Sequence, residues 1–193
     1  MSLATRYHFV TRWRVAATIE EVAAILRDPV DLPRWWPSVY LSAVEVAPGG
    51  PDGCGQRVRL HARGWLPYTL RWELRVVQSD YPRGFAIEAS GDLAGTGVWT
   101  FAAQAGVVTA CFDWRVRAEK SLLRRLSWLL RPVFAANHRW AMRQGCRSLR
   151  RELQRRRGRG GSPRRHRWIR WIRARPRPVR ARPVRTMGPA TTT

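Results

Sequence analysis

Residues 68–76, Tyr68-Thr69-Leu70-Arg71-Trp72-Glu73-Leu74-Arg75-Val76, decide how the rest of the chain is read. Tyr68, Leu70, Trp72, Leu74 and Val76 alternate with Thr69, Arg71, Glu73 and Arg75, the period of two that belongs to an extended strand with one buried face. The pattern recurs on both sides. Upstream, Val58, Leu60 and Ala62 are set against Arg57, Arg59 and His61, and Tyr7, Phe9, Trp13 and Val15 against His8, Arg12 and Arg14. Downstream lie Phe85–Ser90, Gly97–Ala103 and Val107–Arg117, the last placing Val108, Ala110, Phe112, Trp114 and Val116 on one side. With Ser42–Ala47 this makes about seven strands. Connections as short as the Pro48–Gly53 turn cluster imply antiparallel pairing.

Two interruptions change the period. Thr18 followed by Glu21 forms a capping box, and Ile19, Val22, Ala23 and Leu26 continue at helical spacing until Asp28-Pro29. Asp31–Val39 reads as a second short helix, interrupted by Pro33 and Pro37. From Lys120 to about Arg157 the period is again 3.6, with Pro132 expected to divide a shorter piece from a long final helix. The stripe of that helix runs Val133, Phe134, Asn137, Ala141, Met142, Gly145, Leu149 and Leu153. The fold class expected is α+β: a curved, seven-stranded antiparallel sheet, two short helices after strand one, and a long C-terminal helix. Only that helix is long enough to cover the apolar face. Trp13, Tyr68, Trp72, Trp99 and Trp114 then fall on or near the concave side, where large rings leave space between sheet and helix.

Composition limits what such a chain can be. Its 193 residues suit one domain and a tail, and 45% hydrophobic residues with 11 Trp exclude disorder throughout. The formal charge is +23, and Gly158–Thr193 contributes 11 Arg with no acid. Every basic residue except Lys120 is Arg, which reads first as codon bias and second as selection for phosphate forks. Cys54, Cys111 and Cys146 are odd in number and far apart, so neither a disulfide framework nor a zinc site is expected, and no metal or cofactor is implied. The N-terminus lacks an apolar leader and no run of 18 apolar residues occurs, so a cytoplasmic location is expected.

Several segments together resemble the START-like superfamily, also called SRPBCC. It includes polyketide cyclases and dehydrases, lipid-transfer domains and birch-pollen-type allergens. The resemblance spans about Tyr7–Arg157 and is carried by Trp13–Val22, Asp28-Pro29 with Leu32–Pro37, Gly91–Trp99, Asp113–Val116 and Arg131–His138. It implies the helix-grip fold, with an apolar ligand held between the sheet and the last helix. In the superfamily's cyclases a few polar side chains in that cavity orient a poly-β-ketone. The motifs are specific for the fold and not for a reaction.

The candidate ligand-binding residues are Trp13, Trp35, Trp36, Tyr68, Trp72, Trp99, Trp114, Phe134, Asn137 and Met142. Trp35 and Trp36 are expected near the cavity mouth, although core packing explains them equally well. His138 is the candidate general acid or base. Against that role, no partner carboxylate stands out, and Asn137 with His138 would then hydrogen-bond loops and cap the cavity. Asp92, in a glycine-rich segment, reads as a turn rather than a phosphate cradle. Glu73 and Asp113 lie on polar faces, where cross-strand pairing with arginine is expected.

The tail, 158–193, is expected to be disordered and rich in Arg and Pro. Within it Trp168, Ile169, Trp171 and Ile172 make a basic amphipathic patch suited to an anionic membrane surface. Nucleic acid ranks second, since no base-reading fold accompanies the charge. Three functions follow: a binder of a hydrophobic small molecule that is lipid-like, aromatic or polyketide-like; a cyclase or dehydratase-like enzyme using the same cavity; and a surface-interaction protein acting through the tail.

Overall fold

The computed structural model describes residues 6–118 and 127–158. The expectations for 158–193 lie, from residue 159 onward, outside the described residues. The elements run β1 (Arg6–Ala16), α1 (Ile19–Leu26), a 3-10 turn (Pro29–Asp31), α2 (Leu32–Trp35), β2 (Tyr40–Ala47), β3 (Arg57–Arg63) and β4 (Thr69–Asp80). They continue with β5 (Gly84–Gly91), β6 (Leu93–Gln104), β7 (Val107–Ala118) and α3 (Ser127–Gly158). All seven strands expected from the alternation are present, in the order β1-β7-β6-β5-β4-β3-β2, and every pairing is antiparallel.

The capping box at α1 forms as its spacing requires. The Glu21 amide donates to Thr18 Oγ1 at 3.2 Å and the Thr18 amide donates to Glu21 Oε2 at 2.9 Å. The second short helix is shorter than expected, because Pro33 suits only its first turn and Trp36 leaves helical backbone geometry.

Pro132 does not divide α3. It stands at the sixth position of a continuous helix, where its missing N–H removes one backbone bond near the end, and 26 residues follow it without a break. Along that length Met142, Leu149 and Leu153 are buried in the core.

The concave face carries the rings. Trp99 lies opposite Phe112 and Gly97 opposite Trp114 in the β6–β7 register. The Trp99 and Phe112 rings stack at 4.5 Å, and Phe112 and Trp114 at 5.4 Å. A Cβ on Gly97 would sit 2.7 Å from both Phe112 and Trp114, so glycine makes room for this stack. On the convex face Glu73 makes the expected cross-strand pair, with Arg57 at 2.6 Å, whereas Asp113 meets His8 across the strands and finds its arginine, Arg115, on its own strand. Asp92 closes the β5–β6 turn onto β4, its carboxylate accepting from the Arg71 amide at 2.9 Å.

Candidate functional site

Between the sheet and α3 lies a cavity of about 210 Å³. Nine of the residues singled out in the sequence line it: Trp36, Tyr68, Trp72, Trp99, Trp114, Phe134, Asn137, His138 and Met142. Trp13 and Trp35 do not, which corrects their placement. Trp13 is packed against Trp36 at 5.6 Å and Trp99 at 5.1 Å, and those two rings take the lining positions instead. Trp35 packs on Trp36 at 5.5 Å and is buried in the core.

Trp36 is the hub of this end of the molecule. Its indole also meets the Tyr40 ring at 5.2 Å, edge to face, and lies flat on α3 where Gly145 leaves a gap. A Cβ at residue 145 would come within 2.4 Å of that indole, so the contact needs glycine. The Trp36 Nε1 is buried and has no hydrogen-bond partner among the described residues, the kind of donor whose cost falls when a ligand oxygen accepts from it.

The lining is mostly apolar, with a few polar groups. The polar residues of the lining are Tyr7, Tyr40, Tyr68, Asn137, His138, Arg27 and Arg63. Among the described residues no carboxylate lines the cavity. Burial raises the Tyr40 phenol above its ordinary range, and burial followed by the nearby Tyr7 pushes Tyr68 up to about 12. Tyr40 and Tyr68 therefore stay protonated as donors at neutral pH.

Asn137 behaves as expected of a loop-tying residue. Its Oδ1 accepts from the Trp65 amide at 2.9 Å, and a Cβ on Gly64 would overlap the Asn137 amide. The β3–β4 loop is thereby drawn onto α3 at the cavity wall. Among the described residues His138 binds no loop. Its ring stacks on Phe9 of β1 at 4.1 Å, and its Nε2 stands 3.5 Å from Thr11 Oγ1, too long for a strong hydrogen bond.

Burial, assisted by the charge of Arg139, lowers the His138 pKa from 6.5 to about 4. The ring is neutral in the folded protein at pH 7. Because the folded value lies below the unfolded one, the unfolded chain binds the extra proton between them, and stability falls as pH drops from about 6.5 toward 4. His138→Gln is expected to flatten that part of the stability profile while leaving pH 7 to 8 unchanged in slope. Urea unfolding at pH 5 and pH 7 measures it.

Arg27, Arg63, Tyr7, Phe9 and Tyr40 also line the cavity and were not singled out. Tyr7 and Phe9 share the alternation that marks Trp13 and were within reach. Arg27 was not: it follows α1, donates from Nη2 to the Asp52 carbonyl at 2.9 Å and lies 4.7 Å over the Tyr81 ring, contacts made through distant loops.

With this geometry in view, the comparison with known proteins is decisive on family. Residues 6–154 match the family model described as polyketide cyclase / dehydrase and lipid transport. The chain belongs to that family. No curated protein matches it significantly.

Solved structures share the helix-grip fold of this family member. The Zhui aromatase/cyclase of a Streptomyces species is 19% identical with a TM-score of 0.64, over 81% of this chain and 99% of that one. A Thermus thermophilus protein is 17% identical at a TM-score of 0.64, over 77% and 97%. A START superfamily protein from Mycobacterium smegmatis is 14% identical at 0.59, over 77% and 97%. Identities this low speak for the fold alone. Among the described residues no helix is long and apolar enough to cross a membrane.

Proposed function

We propose that this polyketide cyclase / dehydrase and lipid transport family member binds a hydrophobic small molecule bearing oxygen acceptors in the cavity between the sheet and α3. The observation that carries this reading is the lining itself: aromatic and aliphatic walls, hydrogen-bond donors at Trp36, Tyr40 and Tyr68, and no carboxylate among the described residues. Burial of the ligand's apolar surface supplies affinity at about 25 cal/mol per Å², while the donors fix its orientation.

A catalytic reading uses the same residues, with His138 as base and Tyr68 or Asn137 orienting a carbonyl. A ring whose pKa is held at about 4 is available as a base at pH 7 but is a weak one. That favours binding over proton abstraction.

The test is gentle native mass spectrometry of the full chain, followed by organic extraction of whatever co-purifies. A bound apolar, oxygen-bearing molecule is the expected result. A protein that arrives empty and takes up no hydrophobic fluorescent probe would sink the proposal. If a substrate is found, His138→Gln separates the two readings, because a general base is worth at least about 10²-fold in rate and a wall residue far less.

A further inference from the structure

Arg139, Arg143, Arg147 and Arg151 follow one another at four-residue spacing along α3 and are all exposed. Met142, Gly145, Leu149 and Leu153 are buried on the opposite side, so the row runs along the outer face of the helix. It extends for about 18 Å. Like charges one turn apart disfavour a helix, and none of the four has a carboxylate partner among the described residues. The one acid in α3, Glu152, is already taken by Arg34, Arg155 and Arg156. Among the described residues no acidic side chain pairs with this cation row.

A second feature lies against the same helix. The β3–β4 loop exposes Trp65, 50% accessible, followed by Leu66 and Pro67 and preceded by the exposed Arg63. That loop is fastened to α3 by the bond from the Trp65 amide to Asn137. Arg63, Gly64, Tyr68 and Asn137 also line the cavity, so Trp65 belongs to a loop that forms part of its wall.

We propose that this surface docks on an anionic phospholipid bilayer, with the arginine row on the phosphate headgroups and Trp65 in the interfacial layer beside them. Each half of the surface matches one half of such an interface. Guanidinium groups suit phosphate, and indole rings concentrate at the boundary between headgroups and hydrocarbon. An acidic protein partner would be served by the arginines alone and gives no reason for an exposed Trp65 and Pro67 on a loop that walls an apolar cavity. Charge and buried apolar area together make the stable form of peripheral attachment. The contact stands on the surface features. Its purpose, passage of an apolar molecule between bilayer and cavity without crossing water, rests on the binding function proposed above.

The test is flotation of the full chain with phosphatidylcholine vesicles, with and without phosphatidylglycerol, at low ionic strength. Binding only to the anionic vesicles is expected. The variant R139Q/R143Q/R147Q should bind them roughly a hundredfold more weakly, and Trp65→Ala should leave a residual binding that added salt abolishes. Uptake of a hydrophobic fluorescent probe, measured on the same proteins, should be equal in the wild type and the glutamine variant, which shows that the cavity is intact. Anionic binding that survives all three glutamines would overturn the proposal and pass the role to the tail. A wild type that ignores both kinds of vesicle would also overturn it and leave the arginine face to an acidic protein. Vesicle binding without probe uptake would overturn the ligand function alone.

Discussion

Replacing Trp36 with alanine is expected to lower the unfolding free energy by about 3–5 kcal/mol, the range for deleting a large buried aromatic ring. The ring is 4% accessible and meets Trp13, Trp35 and Tyr40 at centroid distances of 5.2 to 5.6 Å. It also fills the gap that Gly145 leaves on α3, so one truncation loosens β1, α2 and the covering helix together. For a domain of this size the loss corresponds to a fall in Tm of about 10 °C. The vacated space joins the cavity, and the unpartnered Nε1 donor goes with the ring. Probe or ligand affinity should therefore fall along with stability. Trp36→Phe restores part of the packing without the N–H, so it should recover stability more than affinity. Thermal unfolding and a binding titration on the two variants measure both effects. A cost below about 1 kcal/mol would place Trp36 outside the set of core residues that matter.

The second large effect concerns Glu152→Ala. Glu152 is buried near the end of α3, and three guanidinium groups converge on it. Arg34 donates from Nη1 at 3.0 Å and Nη2 at 2.8 Å, Arg155 from Nε at 2.7 Å, and Arg156 from Nε at 2.7 Å. Arg34 also pairs with Asp31, so the cluster rivets α2 to α3 and holds Trp35 and Trp36 at their positions. Removing the carboxylate takes away the shared anion, leaving Arg34 and Arg156 to Asp31 and Arg155 to solvent. Hydrogen bonds to a charged group are worth about 1.5–3 kcal/mol each, and because the guanidinium groups are partly exposed the expected loss is about 2–3 kcal/mol in all; urea unfolding should show it.

Acid should mimic that substitution. Burial works to raise the pKa of Glu152, but hydrogen bonds from Arg34, Arg155 and Arg156 outweigh it and hold the carboxyl well below the usual range. Glu21, bonded to Arg157, is lowered to about 2. Both folded values lie below the unfolded one, so their stabilisation is complete above about pH 5 and is lost as pH falls through the folded values. Glu152→Ala should thus have a flatter acid limb as well as a lower plateau.

Much of this architecture is legible in residues 68–76 and their repeats, because a sheet wet on one side must alternate and a curved one must crowd its aromatics on the concave face. The stripe from Phe134 to Leu153 likewise dictates that α3 is the cover. What could not be read is decided in three dimensions. Trp13 alternates in phase with the cavity wall, yet the neighbouring rings of Trp36 and Trp99 displace it from the surface of the void. Pro132 carries a breaker's chemistry, but its effect depends on how much helix follows it. Glu152 is one acid among nine arginines in α3, and nothing in its local pattern tells that Arg34, 118 residues away, completes its site. Arg63 and Gly64 at the cavity wall are equally silent, since their role depends on where Asn137 reaches.

The edges of the sheet show a further consequence of the arginine-rich helix. A terminal strand offers a ladder of backbone groups to any passing chain, and β1 is one of the two terminal strands here. At its C-terminal end Arg150 donates to the Arg14 carbonyl at 3.0 Å and Arg157 to the Ala16 carbonyl at 3.1 Å. The acceptors that an eighth strand would need there are already engaged by charged donors. At the opposite edge β2 carries two breaks in register, near Tyr40 and Ala47, which bend its ladder away from a regular template. Self-association into an extended ribbon is thus opposed by guanidinium chemistry at one border and by irregular geometry at the other.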